Sequence, residues 1–528
     1  MALGISAGVY PNEVNYSAYV KAKSTSTWGV VGLFEKGPIG VPVLVGSLDE
    51  AQRIFGNYLT TAAAGTGFAM LALKNFFENG GNKAVIVRTV KYTGATPSSA
   101  VATVTAVDQQ GTPANCLTVK AAVALGGVSL DSPGVWANGV QVVLSAGTAD
   151  ATNQFNLVVK DAAGNVLETY SDLWIGYDKR SDPDHVERRV NGKSAYIAVS
   201  DLYASGQNAS TLRRPAFNTV TLAAGNDGLT GIATTDFIGS SSVGNGLYAL
   251  DTADVNFVSI PGEAGTTAAN YTAATALGNA LLDYCAGRKD CVAIIEAPQG
   301  NDAAGHQTFV ATLTSRTASG TYGGLYGPWV TALHPTTSQV VTLPPWGFVA
   351  GVFARNDREG AVWTAPAGPN RGGLIGALGT EKPMPESQRD AMYTKGVNPI
   401  ALVAGGLQVY GQKTLALKAS ALDRMNVRRL LCFIEASIED AANGIVFEAN
   451  NKDTWESFKR TVSPFLRRIK DGGGFYDFVV VCDESINTPD LIDTNTMKAR
   501  ILVKPTKTAE FIAIDFAIAP TGANFATL

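Results

Sequence analysis

Residues Gly405–Thr414, GGLQVYGQKT, come within one residue of a phosphate-binding loop. Such a loop reads G-x-x-x-x-G-K-[ST]; its backbone N–H groups cradle phosphates and its Lys opens a helix with the ammonium over the β/γ-phosphates. Gly406 and Gly411 keep the spacing, but Gln412 stands between Gly411 and the pair Lys413–Thr414. On a helix, one inserted residue turns the ammonium away by about 100°. The flanking NPIALVAGGLQVYGQKTLAL also reads as loop and strand, with no helix for the Lys to open. Nucleotide chemistry is not expected here.

A nucleophilic serine fares no better. Gly239–Val243, GSSSV, lacks the closing Gly of G-x-S-x-G. A triad of Asp254, His306 and a later Ser can be written on paper, but no motif surrounds any member. GGLIGALG has no G-x-G-x-x-G spacing. The three histidines, His185, His306 and His334, lie far apart and in no metal-ligand spacing. The five cysteines (Cys116, Cys285, Cys291, Cys432, Cys482) are odd in number and form no CxxC. Because MALGISAGVYPNEV has no signal-peptide pattern, they read as reduced, mostly buried thiols of a chain made in a cytoplasm. No catalytic, cofactor-binding or metal-binding residue is expected, and no enzyme.

Composition points towards assembly instead. The chain is 46% hydrophobic and only 16% charged, so much of its surface is neutral or apolar. On a free monomer such surface invites association. Net charge is −4, from 41 basic and 45 acidic residues, which gives no whole-chain electrostatic reason to bind nucleic acid. No apolar run is long enough to span a bilayer.

The elements read as α/β and α+β, multidomain. Near the start, Val14, Tyr16, Ala18 and Val20 alternate with Asn15, Ser17, Tyr19 and Lys21, as in an extended strand. WGVVGLFEKGPIGVPVLV gives two strands joined by a Gly-Pro turn, Ser47 and Glu50 a capping box, and GFAMLALKNFFENGG a helix closed by Gly80–Gly81. The strand AVIVRTV follows. From Thr96 to Gly176 only Lys120 and Lys160 are basic, and short Val/Thr-rich runs predict an inserted all-β domain ending near Gly225. VNFVSIPG, TAANYTAATALGNALLDYCAG, CVAIIEAP and HQTFVATLTSRTASG then alternate strand and helix, predicting a wound parallel sheet.

Two amphipathic helices follow. The first, MNVRRLLCFIEASIEDAAN, puts Val427, Leu430, Leu431, Ile434 and Ile438 on one face. DTWESFKRTVSPFLRRIK repeats the pattern with Trp455, Phe458, Val462, Phe465, Leu466 and Ile469, capped by Asp453 and Glu456. Pro464 is expected to kink or split that second helix. Its basic residues Lys459, Arg460, Arg467, Arg468 and Lys470 oppose the apolar stripe, as either a solvated face or an electrostatic docking face. FYDFVVVCDE is a strand, and IAIDFAIAP puts Ile512, Ile514, Phe516 and Ile518 on one strand face ended by Pro520.

GVYPNEV, GVVGLFEKGPIGVPVLV and FFENGGNKAVIVRTV near the start, with QVYGQKTLAL, NVRRLLCFIEASI, VFEANNKDTWESFKRTVSPFLRRIKDGGGFYDFVVVCDESINTPDLID and IAIDFAIAP near the end, occur in one order. In these stretches the chain resembles the contractile tail sheath proteins of myovirus-type bacteriophages and related injection machines. The resemblance implies a strand–helix core built from both chain ends and a central domain that is subtilisin-like in fold only. It divides the chain into an N-terminal arm (1–24), the first part of the core (25–95), an outward-facing β-rich insertion (96–225), a central α/β domain (226–395), a C-terminal α+β domain (396–509) and a strand arm (510–528). It further implies stacked six-fold rings around a tail tube, and strand exchange between subunits through Val14, Tyr16, Val20, Ile512, Ile514, Phe516 and Ile518. Partners would be further copies, the tail tube protein, and baseplate and tail terminator proteins, in a virion assembled in the host cytoplasm. Nucleic acid and membrane insertion play no part. In related sheaths the C-terminal region faces the tube, which makes Lys459, Arg460, Arg467, Arg468 and Lys470 candidate tube contacts. A hydrolase on the central domain, or another self-assembling shell protein, are the competing classes.

Overall fold

The computed structural model describes residues 20–59, 67–92, 97–105, 115–203, 214–260, 271–403 and 405–510. They form two compact units, one of residues 21–362 and 366–440, the other of 441–510 with 363–365 and Val20.

The larger unit is organised by an eight-stranded sheet. Its central strands, Lys83–Arg88, Thr27–Gly32, Phe257–Ser259, Val292–Glu296, Gly323–Gly327 and Val397–Val403, run parallel in that spatial order. Val43–Val45 and Gly406–Val409 close the two edges antiparallel. Parallel strands buried on both sides need continuous apolar runs, and alternate residues divide accordingly. Val30, Ile86 and Ile294 join one core with the helices Ala69–Glu78 and Trp346–Glu359. Val31, Val85, Val87, Ala293 and Ile295 join the other with Tyr271–Arg288 and Ala303–Thr312.

On the first face two helices touch almost backbone to backbone. A Cβ on Gly347 would lie 2.4 Å from the Ala72 carbonyl oxygen, and one on Gly351 would lie 2.4 Å from Asn79 Cβ. The helix Met425–Ala442 also packs here, with two of its charged residues inside. Arg428 and Arg429 are both buried, while Leu431 and Ile438 are only half-buried. Arg429 pairs with Asp357 at 2.5 Å, both side chains being 2% exposed, and lies over the Phe353 ring at 4.6 Å. It also donates to the Thr25 carbonyl at 3.1 Å. Burial raises the Asp357 carboxyl above its ordinary range despite the guanidinium beside it. The segment leading into the first strand is thereby strapped down, since Lys23 N–H also reaches Ser437 Oγ (3.3 Å) and Asn256 Nδ2 reaches the Ser24 carbonyl (2.8 Å).

Residues 97–226 leave and rejoin this unit through a reciprocal pair of hydrogen bonds between Ser98 and Asn226. Between them two antiparallel four-stranded sheets enclose a core that includes Leu117, Val119, Val142, Leu144, Phe155, Leu157 and Ile197. Arg88, fully buried, fastens this β-rich part to the main sheet by donating to the carbonyls of Gly37 (2.8 Å) and Pro133 (2.6 Å). Burial pushes its pKa down to about 10. Lys36 lies 5.2 Å from the rings of both Trp136 and Tyr196.

In the smaller unit, the helix Lys452–Asp471 buries Trp455, Phe458, Val462, Phe465, Leu466 and Ile469 on the expected stripe. Two details differ from the sequence reading. The cap is Asn451, whose side chain accepts from Thr454 N–H, so Asp453 and Glu456 lie inside the helix. The helix also continues through Pro464, which is exposed, so water can take the carbonyl of Arg460 that the proline leaves without a donor. Gly473, at φ +86°, turns the chain into the strand Phe475–Val481, which pairs antiparallel with Arg500–Pro505. Residues 27–88 and the helix Met425–Ala442 thus contribute to the same larger unit. The last two strands form a sheet of their own.

The closeness of the helices at Gly347 gives a direct test. Gly347→Val should lower the unfolding free energy by about 1–3 kcal/mol by overpacking, read as a shift of the urea midpoint at unchanged slope. An unshifted midpoint would contradict the contact.

Candidate assembly surface

The phosphate-loop look of residues 405–414 dissolves in the structure. Gly406–Val409 is the edge strand of the main sheet, and no helix begins at Lys413. Asn398 grips Lys413 through both its backbone groups, at 2.6 and 2.8 Å. The Lys413 ammonium donates to the Tyr393 carbonyl at 2.8 Å and sits 4.1 Å from the Tyr393 ring. Gln412, the intruding residue, is buried, and Thr414 donates its hydroxyl to the Leu422 carbonyl. The lysine is a structural fastener.

The paper triad is not assembled. Asp254 is exposed and pairs with Lys23 at 3.5 Å. His306 is buried; its Nδ1 donates to the Asp302 carbonyl (2.7 Å), and its Nε2 faces Gly327 so closely that a Cβ there would fall 2.1 Å away. Burial lowers its pKa. Ser240 and Ser242 hydrogen-bond one another on the surface. His185 pairs with Asp201 inside the β-rich part (3.1 Å), and His334 accepts from Thr336 N–H. Among the described residues no group of His, Cys, Asp or Glu is arranged to hold a metal. All five cysteines are buried and in no disulfide, and no described helix is long and apolar enough to cross a membrane.

The smaller unit's sheet also carries exposed apolar residues. Among the described residues it has two strands, each with an outer row of backbone N–H and C=O groups that no described strand pairs. Register places Val479 opposite Leu502, 50% and 54% exposed, between the cross-strand pairs Asp477–Lys504 and Val481–Arg500. On the helix Lys452–Asp471, Lys459 is held by Glu456 (2.5 Å) and Lys470 by Asp477 (2.7 Å). The Lys470 hydrogen bond is the main cause that lowers the Asp477 pKa. Arg460 makes one long bond to the Glu456 carbonyl, 3.4 Å. Arg467 and Arg468 stand exposed with no ion pair among the described residues. Of the arm residues, Val20 is buried, at 1% exposure. Val14, Tyr16, Ile512, Ile514, Phe516 and Ile518 lie outside the described residues.

This geometry can be set beside known proteins. The central-domain model of the phage tail sheath protein matches residues 230–415, and the phage tail sheath C-terminal domain matches residues 418–519. These adjoining matches cover more than half of the chain, which belongs to the phage tail sheath protein family. The tail sheath protein of Vibrio phage KVP40 is 34% identical over 271 residues, 46% of this chain and 39% of the relative. That of Enterobacteria phage T4 is 35% identical over 178 residues, 34% of this chain and 27% of the relative. The matches thus span well under half the length of these curated relatives. In fold, the helical sheath of the anti-feeding prophage in its contracted state aligns over 98% of this chain and 99% of its own, with TM-score 0.54 and 18% identity. A sheath tail protein from Listeria innocua aligns over 92% and 96%, with TM-score 0.57 and 10% identity. At these identities the likeness is one of fold, a mixed α/β multidomain architecture.

Lys413→Ala should leave calorimetric titration with ATP flat, as in the unaltered chain. It should cost about 1.5–3 kcal/mol in urea denaturation, the scale of a hydrogen bond from a charged donor. Saturable ATP binding abolished by the substitution would reverse the assignment of Lys413.

Proposed function

We propose that the chain is a structural subunit of a contractile tail sheath, polymerising as stacked six-fold rings around a tail tube and contracting to drive the tube through a target envelope. One observation supports this beyond family membership: among the described residues the smaller unit has a two-stranded sheet with apolar residues exposed. Two strands alone are marginal in water, and an apolar edge left open is an aggregation hazard. Both difficulties vanish when strands from neighbouring copies complete the sheet. The sequence around Ile512, Ile514, Phe516 and Ile518, and that around Val14, Tyr16 and Val20, has the alternation such strands need. Arms exchanged in this way keep subunits joined while their folded parts slide.

Contraction in this reading needs no nucleotide or metal. The extended lattice is a trapped, higher-energy packing that relaxes when the baseplate releases it. A related assembly, the anti-feeding prophage baseplate, was solved with 6-fold symmetry, and its sheath in a contracted state. The tail tube, baseplate and terminator proteins are the expected partners, and the phage tail the expected location. The finer division of the chain follows the same reading: arms at 1–24 and 510–528, an outward β-rich decoration at 96–225, a central subtilisin-like domain at 226–395 that serves as scaffold alone, and a C-terminal domain at 396–509. On the helix Lys452–Asp471, the tube-facing role narrows to Arg460, Arg467 and Arg468, because Lys459 and Lys470 already have carboxylate partners.

Two experiments test this reading. Deleting residues from Glu510 onward should abolish polymerisation into tubes while circular dichroism stays that of a folded chain; normal tubes in negative stain would sink strand exchange. Arg467→Glu with Arg468→Glu should leave folding intact and impair extended-sheath assembly on tail tubes. Each exposed pair contributes only about 0–1 kcal/mol, so wild-type affinity for tubes should also fall as salt rises. Assembly indifferent to both would leave the arginines as a solvated face.

A further inference from the structure

The helix Met425–Ala442 is charged against its own dipole. Arg428 and Arg429 lie near its start, Glu435, Glu439 and Asp440 in its second half, with no acid in the first turn and no base in the last. Acids near an N-terminus and cations near a C-terminus each stabilise a helix by roughly 0.3–1 kcal/mol; this helix forgoes both. The arginines have internal work, Arg429 with Asp357 and Arg428 4.2 Å over the Tyr322 ring. Glu439 and Asp440 have none. They are exposed and in no ion pair among the described residues.

Beside the opposite end of the helix lies an open groove of about 840 Å³. Its walls gather Arg316, Lys395, Lys413, Lys418 and Arg424 against a single carboxylate, Asp423, which Arg424 holds at 3.1 Å. Arg316 is half-buried, and its bonds go only to carbonyls, those of Leu415 (3.0 Å), Val310 (3.2 Å) and Lys395 (3.5 Å). Burial lowers its pKa with no carboxylate to oppose the shift. Lys395 and Lys418 are exposed on the lining without an ion pair among the described residues. Arg316, Lys395 and Lys418 thus give the groove three cations with no carboxylate partner among the described residues.

An 18-residue helix is about 27 Å long, so the carboxylates and the groove of one chain cannot meet each other. Between copies they can, head to tail, and a head-to-tail contact closes into rings or continues as a helix. We propose that the groove receives the acidic helix end, Glu435 to Asp440, of a second copy. The proposal rests on the sheath reading above and assigns it a contact separate from the strand arms and from the tube. Such a contact is screened and individually weak, which suits neighbours that must change register.

Polymerisation across a concentration series, scored by negative-stain microscopy, tests it. Lys395→Glu with Lys418→Glu, and separately Glu439→Lys with Asp440→Lys, should each raise the concentration needed for tubes about tenfold, as losing two or three exposed ion pairs would. The chain carrying all four changes should return towards the wild-type value. Circular dichroism monitors folding, and Lys395→Gln with Lys418→Gln replaces the reversed pair should that pair not fold. Unaltered polymerisation of either pair, or a fourfold variant no better than its parents, overturns the groove contact and leaves the sheath reading standing. An acid-reversed variant that polymerises normally but no longer binds tail tubes also overturns it, by giving Glu439 and Asp440 to the tube. Wild-type chain that forms no tubes at all defeats both.

Discussion

A parallel sheet has no face to spare for water. Its crossovers lay helices on both sides, and every strand between them must be apolar on both. The eight-stranded sheet satisfies this with strands from distant parts of the chain, Thr27–Gly32 sitting between Lys83–Arg88 and Phe257–Ser259. The larger unit follows from that placement. The Gly347 and Gly351 contacts bring one cover close, and Arg429 reaches over Phe353 to hold the segment entering the first strand. The helix Met425–Ala442 is thereby fixed with Arg428 and Arg429 inside, and its hold on the unit does not depend on charges that favour its own dipole.

The smaller unit solves the opposite problem. Among the described residues it has one long apolar helix stripe and two strands, too little to bury both faces of a sheet. Its connection from Cys482 to Lys498 is closed locally, Asn487 exchanging side-chain hydrogen bonds with both backbone groups of Lys498. Trp363 donates to the Gly472 carbonyl and covers the turn after the helix. Among the described residues one face of the sheet is covered by the helix, and Val479 and Leu502 stand exposed.

Periodic features were legible because burial imposes them. The stripe from Trp455 to Ile469 and the strands Lys83–Arg88 and Val292–Glu296 stand where their spacing puts them. Local competition was harder to read. Asn451 caps the helix that Asp453 was expected to cap, since both residues can accept the first free N–H groups and the chain's path decides between them. The expectation of a break at Pro464 overlooked that the freed carbonyl could face solvent. The burial of Arg428 and Arg429 had no signal in the apolar pattern of their helix, because the groups that receive them, Asp357 and Tyr322, are distant in sequence. The cationic groove was invisible for the same reason: its lysines and arginines come from three separated segments.

Ser98 and Asn226 exchange backbone hydrogen bonds, with Val101 and Ala223 doing the same one step further in. The β-rich part between them thus enters and leaves through a single doorway, sealed by main-chain atoms that any residue supplies. It is joined to the sheet beneath it by Arg88 and Lys36, by the Gly37 N–H donated to Ser132 Oγ, and by Val123, which enters the core of the main sheet. A change of length inside the β-rich part therefore leaves this doorway in place, whereas a change at Val123 reaches the core of the main sheet.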